Sequence, residues 1–376
     1  MNRKYLIFVV LLLSMCVTLN LNAKKLSDSC VLTFEIEGKE YKELVLNVIC
    51  HQIGRVRISA TKLTNMKWLF NIPDSVYEKH YRMELNVPDS TIHQLYFEIE
   101  DNKPAILDFS IGSGETTIKA LFLSSNKMPK TPAYNNKDVA MDILKVINPD
   151  INLLASLNLK RAGYDMHGDK KDEAYTNFLS LVKKYGNTHY CTADLYNKTS
   201  LFKSKDEVYE FYNMLSGEQK DSYFGHKIKS FIDLTFFPKI QLPTISDNKP
   251  RNIISDSTRY TLVIFSASWC GPCHKQIPVL QKIYSDLNKY GLDVVYVSMD
   301  DSSTVKNWEI MMKENKIPWI SFLPGNRLDE VKDLYSIKAF PTTYLVYPDG
   351  KFKITDIRNE QEREHLYSIV QDSSRK

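Results

Sequence analysis

Five consecutive residues, Trp269-Cys270-Gly271-Pro272-Cys273, hold the residue types in this 376-residue chain best suited to covalent chemistry. An apolar run at 260–265 and a short Ser266-Ala267-Ser268 turn precede them, and an amphipathic run at 275–287 follows, so the pair is expected to open a helix. A three-residue step rises about 4.5 Å along a helix and keeps both side chains on one face, within the reach of a disulfide. Such a pair closes and opens with little backbone movement. Cys270, at the helix start, feels unpaired N–H groups and the positive end of the helix dipole, both of which favour thiolate. Lowering a thiol pKa from about 8.5 to about 7 stabilises the anion by roughly 2 kcal/mol. Cys270 is therefore the expected nucleophile. Cys273, one turn deeper and more apolar, is the expected resolving thiol, and Cys270–Cys273 the expected redox-active disulfide. Gly271 and Pro272 tune the pair, and Trp269 shields the sulfurs.

Two inert readings compete. Half of a zinc site would need a second CxxC or a suitably spaced Cys/His pair, and the sequence has neither, so no metal and no other cofactor is expected. A structural staple across one helical turn would remove little chain entropy. Exchange chemistry fits the strand-to-helix setting better.

Together with Pro278 and a later Phe340-Pro341-Thr342 ahead of a strand, the motif resembles the thioredoxin fold. The nearer likeness is to exported TlpA-like and ResA-like thiol-disulfide oxidoreductases, over about residues 238–376. The resemblance implies that Pro341 is cis and faces the cysteines, and that Phe340 and Pro341 bind an extended substrate peptide. It also implies a carboxylate near the second cysteine. Here the thioredoxin position for that acid is Ile264 and the ResA-like position is Gln276. His274, Lys275 and Gln276 are the remaining side-chain candidates for a proton relay, and His274 reads first as a solvated helix residue.

The rest of the chain must position this site. At 43% hydrophobic residues, it can bury two or three cores, and its formal charge of +4 comes from interspersed lysines and glutamates with no basic patch, which disfavours nucleic acid as a partner. Residues 1–23 read as a signal peptide, with retention as an N-terminal membrane anchor the alternative. This places the expected protein in the periplasm or cell envelope. Residues 24–130 alternate in the manner of strands and suggest an all-β, sandwich-like domain of seven or eight strands. Cys30 and Cys50 within it either pair, worth roughly 3 kcal/mol, or stay as buried thiols. Residues 131–236 shift to helical spacing, including the capping box Ser204-Lys205-Asp206-Glu207, and form a helical module. Residues 237–376 form the α/β thioredoxin-like domain, with a linker up to Pro250 and an inserted strand and helix before Pro341.

The function expected is an exported thiol-disulfide oxidoreductase, most simply a reductase of extracytoplasmic protein disulfides fed by a membrane electron donor. Gly-Pro between the cysteines is the dipeptide of reducing thioredoxins, which the resemblance extends to this chain. The alternatives are a disulfide isomerase and an envelope binding protein whose β-rich half recognises a partner while its redox domain regulates.

Overall fold

The computed structural model describes residues 30–88, 92–101, 104–127, 139–161, 171–202 and 204–373; the signal-like segment 1–23 lies outside them. Two compact units result: the chain up to Lys160 with Thr188–Tyr190, and Arg161–Asn187 with Cys191–Lys376.

The first unit is built from β1 (Cys30–Glu37), β2 (Val45–Cys50), β3 (Gly54–Ser59), β4 (Thr61–Thr64), β5 (Lys67–Ile72), β6 (His80–Pro88), β7 (Ile92–Glu98), β8 (Asp108–Phe109), β9 (Glu115–Lys127) and β10 (Ala140–Ile147). The expected sandwich of seven or eight strands is corrected to one ten-stranded sheet, ordered β3-β2-β6-β7-β10-β9-β1-β5-β4 with β8 beside β6. The β1·β9 and β7·β10 ladders are parallel and the others antiparallel. Alternation drives the burial, with Cys30, Leu32, Phe34 and Ile36 of β1 pointing inward. Three ladder steps, about 14 Å on a flat sheet, separate β1 from β7. Yet the rings of Phe34 and Phe97 stack at 5.8 Å, and Phe109 meets Phe34 at 5.9 Å. The sheet thus curls until one face packs on itself. The two strands that end the path, β3 and β4, are consecutive in sequence with only Ala60 between them.

β10 lies within the 131–236 stretch read as helical. It carries Asp142, fully buried and accepting hydrogen bonds from Lys39 Nζ at 2.6 Å, Tyr41 Oη at 2.7 Å and Ser125 Oγ at 2.7 Å. Burial pushes this carboxyl up, but the bonds from Lys39, Ser125 and Tyr41 outweigh it and hold the group below the usual carboxylate range. Cys30 and Cys50 are separate buried thiols, pushed by burial up to about 12 and about 11.

In the second unit, the helices Lys171–Tyr185, Lys205–Asn213 and Tyr223–Asp233 bury Phe178, Val182, Val208, Phe211, Phe224, Ile228 and Phe231. Ser204 caps the second of these, its hydroxyl accepting Glu207 N–H at 3.2 Å. A two-stranded ladder, β11 (Gln241–Pro243) with β12 (Pro250–Asn252), leads into the main sheet. That sheet has β13 (Tyr260–Ser266), β14 (Leu292–Ser298), β15 (Ile320–Phe322), β16 (Thr342–Val346) and β17 (Phe352–Ile354) in the order β15-β14-β13-β16-β17. β13, β14 and β15 run parallel, while β16 and β17 join antiparallel. β13 and β14 are buried along almost their whole length, as apolar runs covered on both faces must be. Among the described residues, no helix is long and apolar enough to cross a membrane.

Candidate active site

β13 delivers the chain to the site. Its apolar run ends at Ser266, and the loop 267–269 turns into the helix Gly271–Leu287. Cys270 is the N-cap with extended backbone (φ −90°, ψ 100°), and its Sγ accepts the Cys273 N–H at 3.2 Å, the place a serine or aspartate oxygen usually takes. Pro272 fits the first helical turn because it lacks an N–H that would go unpaired there. The two cysteines form a disulfide with Cα atoms 5.2 Å apart. Cys270 is 6% exposed and Cys273 1%, so Cys270 is the more accessible sulfur-bearing residue.

From the other side of the site, the Phe340–Pro341 peptide is cis and leads into β16. The Phe340 ring meets the edge of Trp269 at 5.5 Å between centroids, which ties the segment before β16 to the residue before Cys270. Trp269 is 60% exposed, a large apolar surface beside a disulfide. The sequence-read residues Trp269, Cys270, Cys273, Phe340 and Pro341 therefore converge.

The relay candidates separate. Lys275 is exposed. His274 is exposed too, and its ring Nε2 lies 2.7 Å from the Ser268 carbonyl oxygen, so it braces the loop ahead of the motif. Gln276 is 2% exposed, in the stripe Cys273, Gln276, Ile277, Leu280, Ile283 and Leu287 that packs inward. Ile264 is fully buried on β13.

One close neighbour of the motif escapes sequence reading. Asp300, just past β14 and 3% exposed, accepts the Ser268 N–H at 2.9 Å and the Ser298 hydroxyl at 2.9 Å, and it also accepts the Ser268 hydroxyl. A buried carboxylate thus clamps the loop that presents Trp269 and Cys270. Its only sequence signal is an acid directly after an apolar strand. A second missed cluster flanks the Phe340–Pro341 segment. Lys338 Nζ donates to Tyr196 Oη at 2.5 Å and sits 3.8 Å from that ring's centroid, while Asp333 accepts from Lys227 Nζ at 2.6 Å and from Tyr196 Oη at 3.3 Å. Asp333 stands on a helix, Leu328–Leu334, that periodicity does not announce. Among the described residues, no group of three His, Cys, Asp or Glu side chains is placed to hold a metal.

Residues 258–352 match the family model described as thioredoxin-like. This part of the chain is a thioredoxin-like domain. It is 31% identical over 119 residues to the thiol-disulfide oxidoreductase ResA of Oceanobacillus iheyensis, an alignment covering 31% of this chain and 60% of that protein. The ResA of Bacillus subtilis is 32% identical over 88 residues, covering 23% of this chain and 46% of its relative. The chain thus spans about half the length of these curated relatives. Among solved structures, the thioredoxin domain of a thiol-disulfide oxidoreductase from Bacteroides vulgatus is 25% identical with a TM-score of 0.34, covering 36% of this chain and 96% of the other.

Proposed function

We propose that the protein is an exported thiol-disulfide oxidoreductase, acting as a reductase on protein disulfides outside the cytoplasm. The observation that carries this reading is the Cys270–Cys273 disulfide at a helix N-terminus, with Phe340-Pro341 beside it. Supporting it are the thioredoxin-like domain and relatives named as thiol-disulfide oxidoreductases.

In the reduced protein, the Cys270 thiolate is held by the N-terminal N–H groups of its helix. It attacks one sulfur of a substrate disulfide lying along Phe340-Pro341. The substrate S–S bond breaks, and the departing sulfur takes the electron pair and then a proton. Cys273, as thiolate, attacks Cys270 Sγ, expels the second substrate sulfur and leaves the disulfide seen here. A membrane electron donor then returns two electrons. Trp269 and Phe340 offer an apolar rim for the substrate chain, and the segment 1–23 directs export.

Cys270→Ser is expected to abolish reduction of insulin by a dithiol, whereas Cys273→Ala retains the first attack and accumulates mixed disulfides on Cys270. Mass spectrometry of the adducts in cells would identify the substrates. Full insulin reduction by Cys270→Ser would refute the assignment.

A further inference from the structure

We infer that Gln276 sets the redox balance of the pair, its side-chain N–H donating to the Cys273 sulfur when the disulfide opens; this rests on the exchange reading above. Gln276 is buried to 2% exposure in an otherwise apolar stripe, and its Nε2 has no hydrogen-bond partner among the described residues. A buried amide N–H left unpaired is costly, and native proteins rarely keep one without a compensating state.

That state is the reduced one. Cys273 lies three residues earlier on the same helix face, where Cβ atoms are about 5–6 Å apart. Helical side chains lean toward the N-terminus, so Gln276 covers the turn that carries Cys273. In the disulfide, the Cys273 sulfur is a poor acceptor. As a thiolate it is anionic, and hydrogen bonds to charged acceptors are roughly twice as strong as neutral ones. Neither polar neighbour on the helix competes, since Lys275 is exposed and the His274 ring is engaged with the Ser268 carbonyl oxygen at 2.7 Å.

A donor dithiol attacks Cys270 Sγ, the Cys270–Cys273 bond breaks, and its electron pair goes to Cys273, whose thiolate receives the Gln276 N–H. The second donor thiolate then releases Cys270. The donor ends as a disulfide; of its two protons one stays on the cysteine pair and the other passes to solvent, so the pair keeps one negative charge, which the Gln276 N–H favours on Cys273.

The test is the equilibrium of full-length protein with reduced and oxidised glutathione. In Gln276→Met, which keeps the length and removes the donor, the dithiol–disulfide equilibrium is expected to move about tenfold toward disulfide, or about 30 mV for two electrons. The alkylation profile of Cys273 should shift to higher pH. The melting temperature of the disulfide form should not fall, which separates this role from a packing role; Gln276→Leu serves as the second variant. Unchanged equilibria in both variants, with a wild type that cycles normally, would overturn the inference alone. A wild type that never exchanges with glutathione would overturn the parent reading.

Discussion

Removing the Asp300 carboxylate should loosen the loop that presents Trp269 and Cys270. The side chain accepts three hydrogen bonds, one from a backbone N–H and two from hydroxyls, and is almost fully buried. Hydrogen bonds to a charged acceptor contribute about 1.5–3 kcal/mol each. Serine hydroxyls can turn to other acceptors, but the Ser268 N–H cannot, and the cost of burying the charge is recovered on its removal. The net loss for Asp300→Ala should therefore be about 2–4 kcal/mol. Asp300→Asn keeps the shape and one acceptor oxygen, so about half that loss is expected. Three of the four tryptophans, Trp269, Trp308 and Trp319, lie in the thioredoxin-like domain, so urea unfolding followed by tryptophan fluorescence reports on it. Disulfide exchange should slow by about tenfold or more in Asp300→Ala, because a displacement near 1 Å at a reacting atom can cost 100-fold. A loss below about 0.5 kcal/mol with unchanged exchange would refute the clamp, since it would mean the three bonds are replaced at no cost.

Two further perturbations test the electrostatics. Burial pushes the Lys338 ammonium down to about 7, against the pull of Asp333 and with the repulsion of Lys227 and Lys332. Between about 7 and the unfolded value near 10.5 the unfolded chain binds more protons, so stability should rise with pH across that window. Urea midpoints from pH 6.5 to 9.5 should climb in the wild type and climb less in Lys338→Met; equal slopes would refute the burial cost. In the first unit, the rings of His80 and His189 stack at 4.3 Å, both buried, with burial pushing His189 down to about 4 and His80 well below its ordinary value. The unfolded chain takes up protons below about 6.5 while the folded pair resists, so acidification from pH 6.5 to 4 should destabilise this unit, by about 3 kcal/mol from His189 alone. His189→Gln should flatten the acid limb in a circular-dichroism titration, and an unaltered limb would show that carboxylates dominate it.

What the sequence reveals follows from how local each signal is. The cysteine pair, its preceding strand and its helix occupy 28 consecutive residues, 260–287, where short-range periodicity and capping decide the outcome. Asp300 meets Ser268 across 32 residues, and no local pattern records that contact. In the first unit, alternation discloses the strands, whereas the parallel β1·β9 pairing and the closing curl depend on partners about 84 residues apart in register. β10 is hidden for a different reason. Its inward positions include Asp142, a residue that breaks the apolar alternation yet is satisfied by Lys39, Tyr41 and Ser125. Lys338 reads as an ordinary surface lysine until Tyr196 is placed against it.

The meeting of the first and last rungs at Ala60 has a further effect. An open sheet leaves two ribbons of unsatisfied amides and carbonyls on which a foreign chain can build. Here both ribbons converge on one short seam, where β4 is only four residues long, wholly exposed and bears Lys62, and β3 bears Arg55 and Arg57. An intruding strand would find little length to grip and charged side chains on each bank, which guards the folded sheet against edge-to-edge pairing.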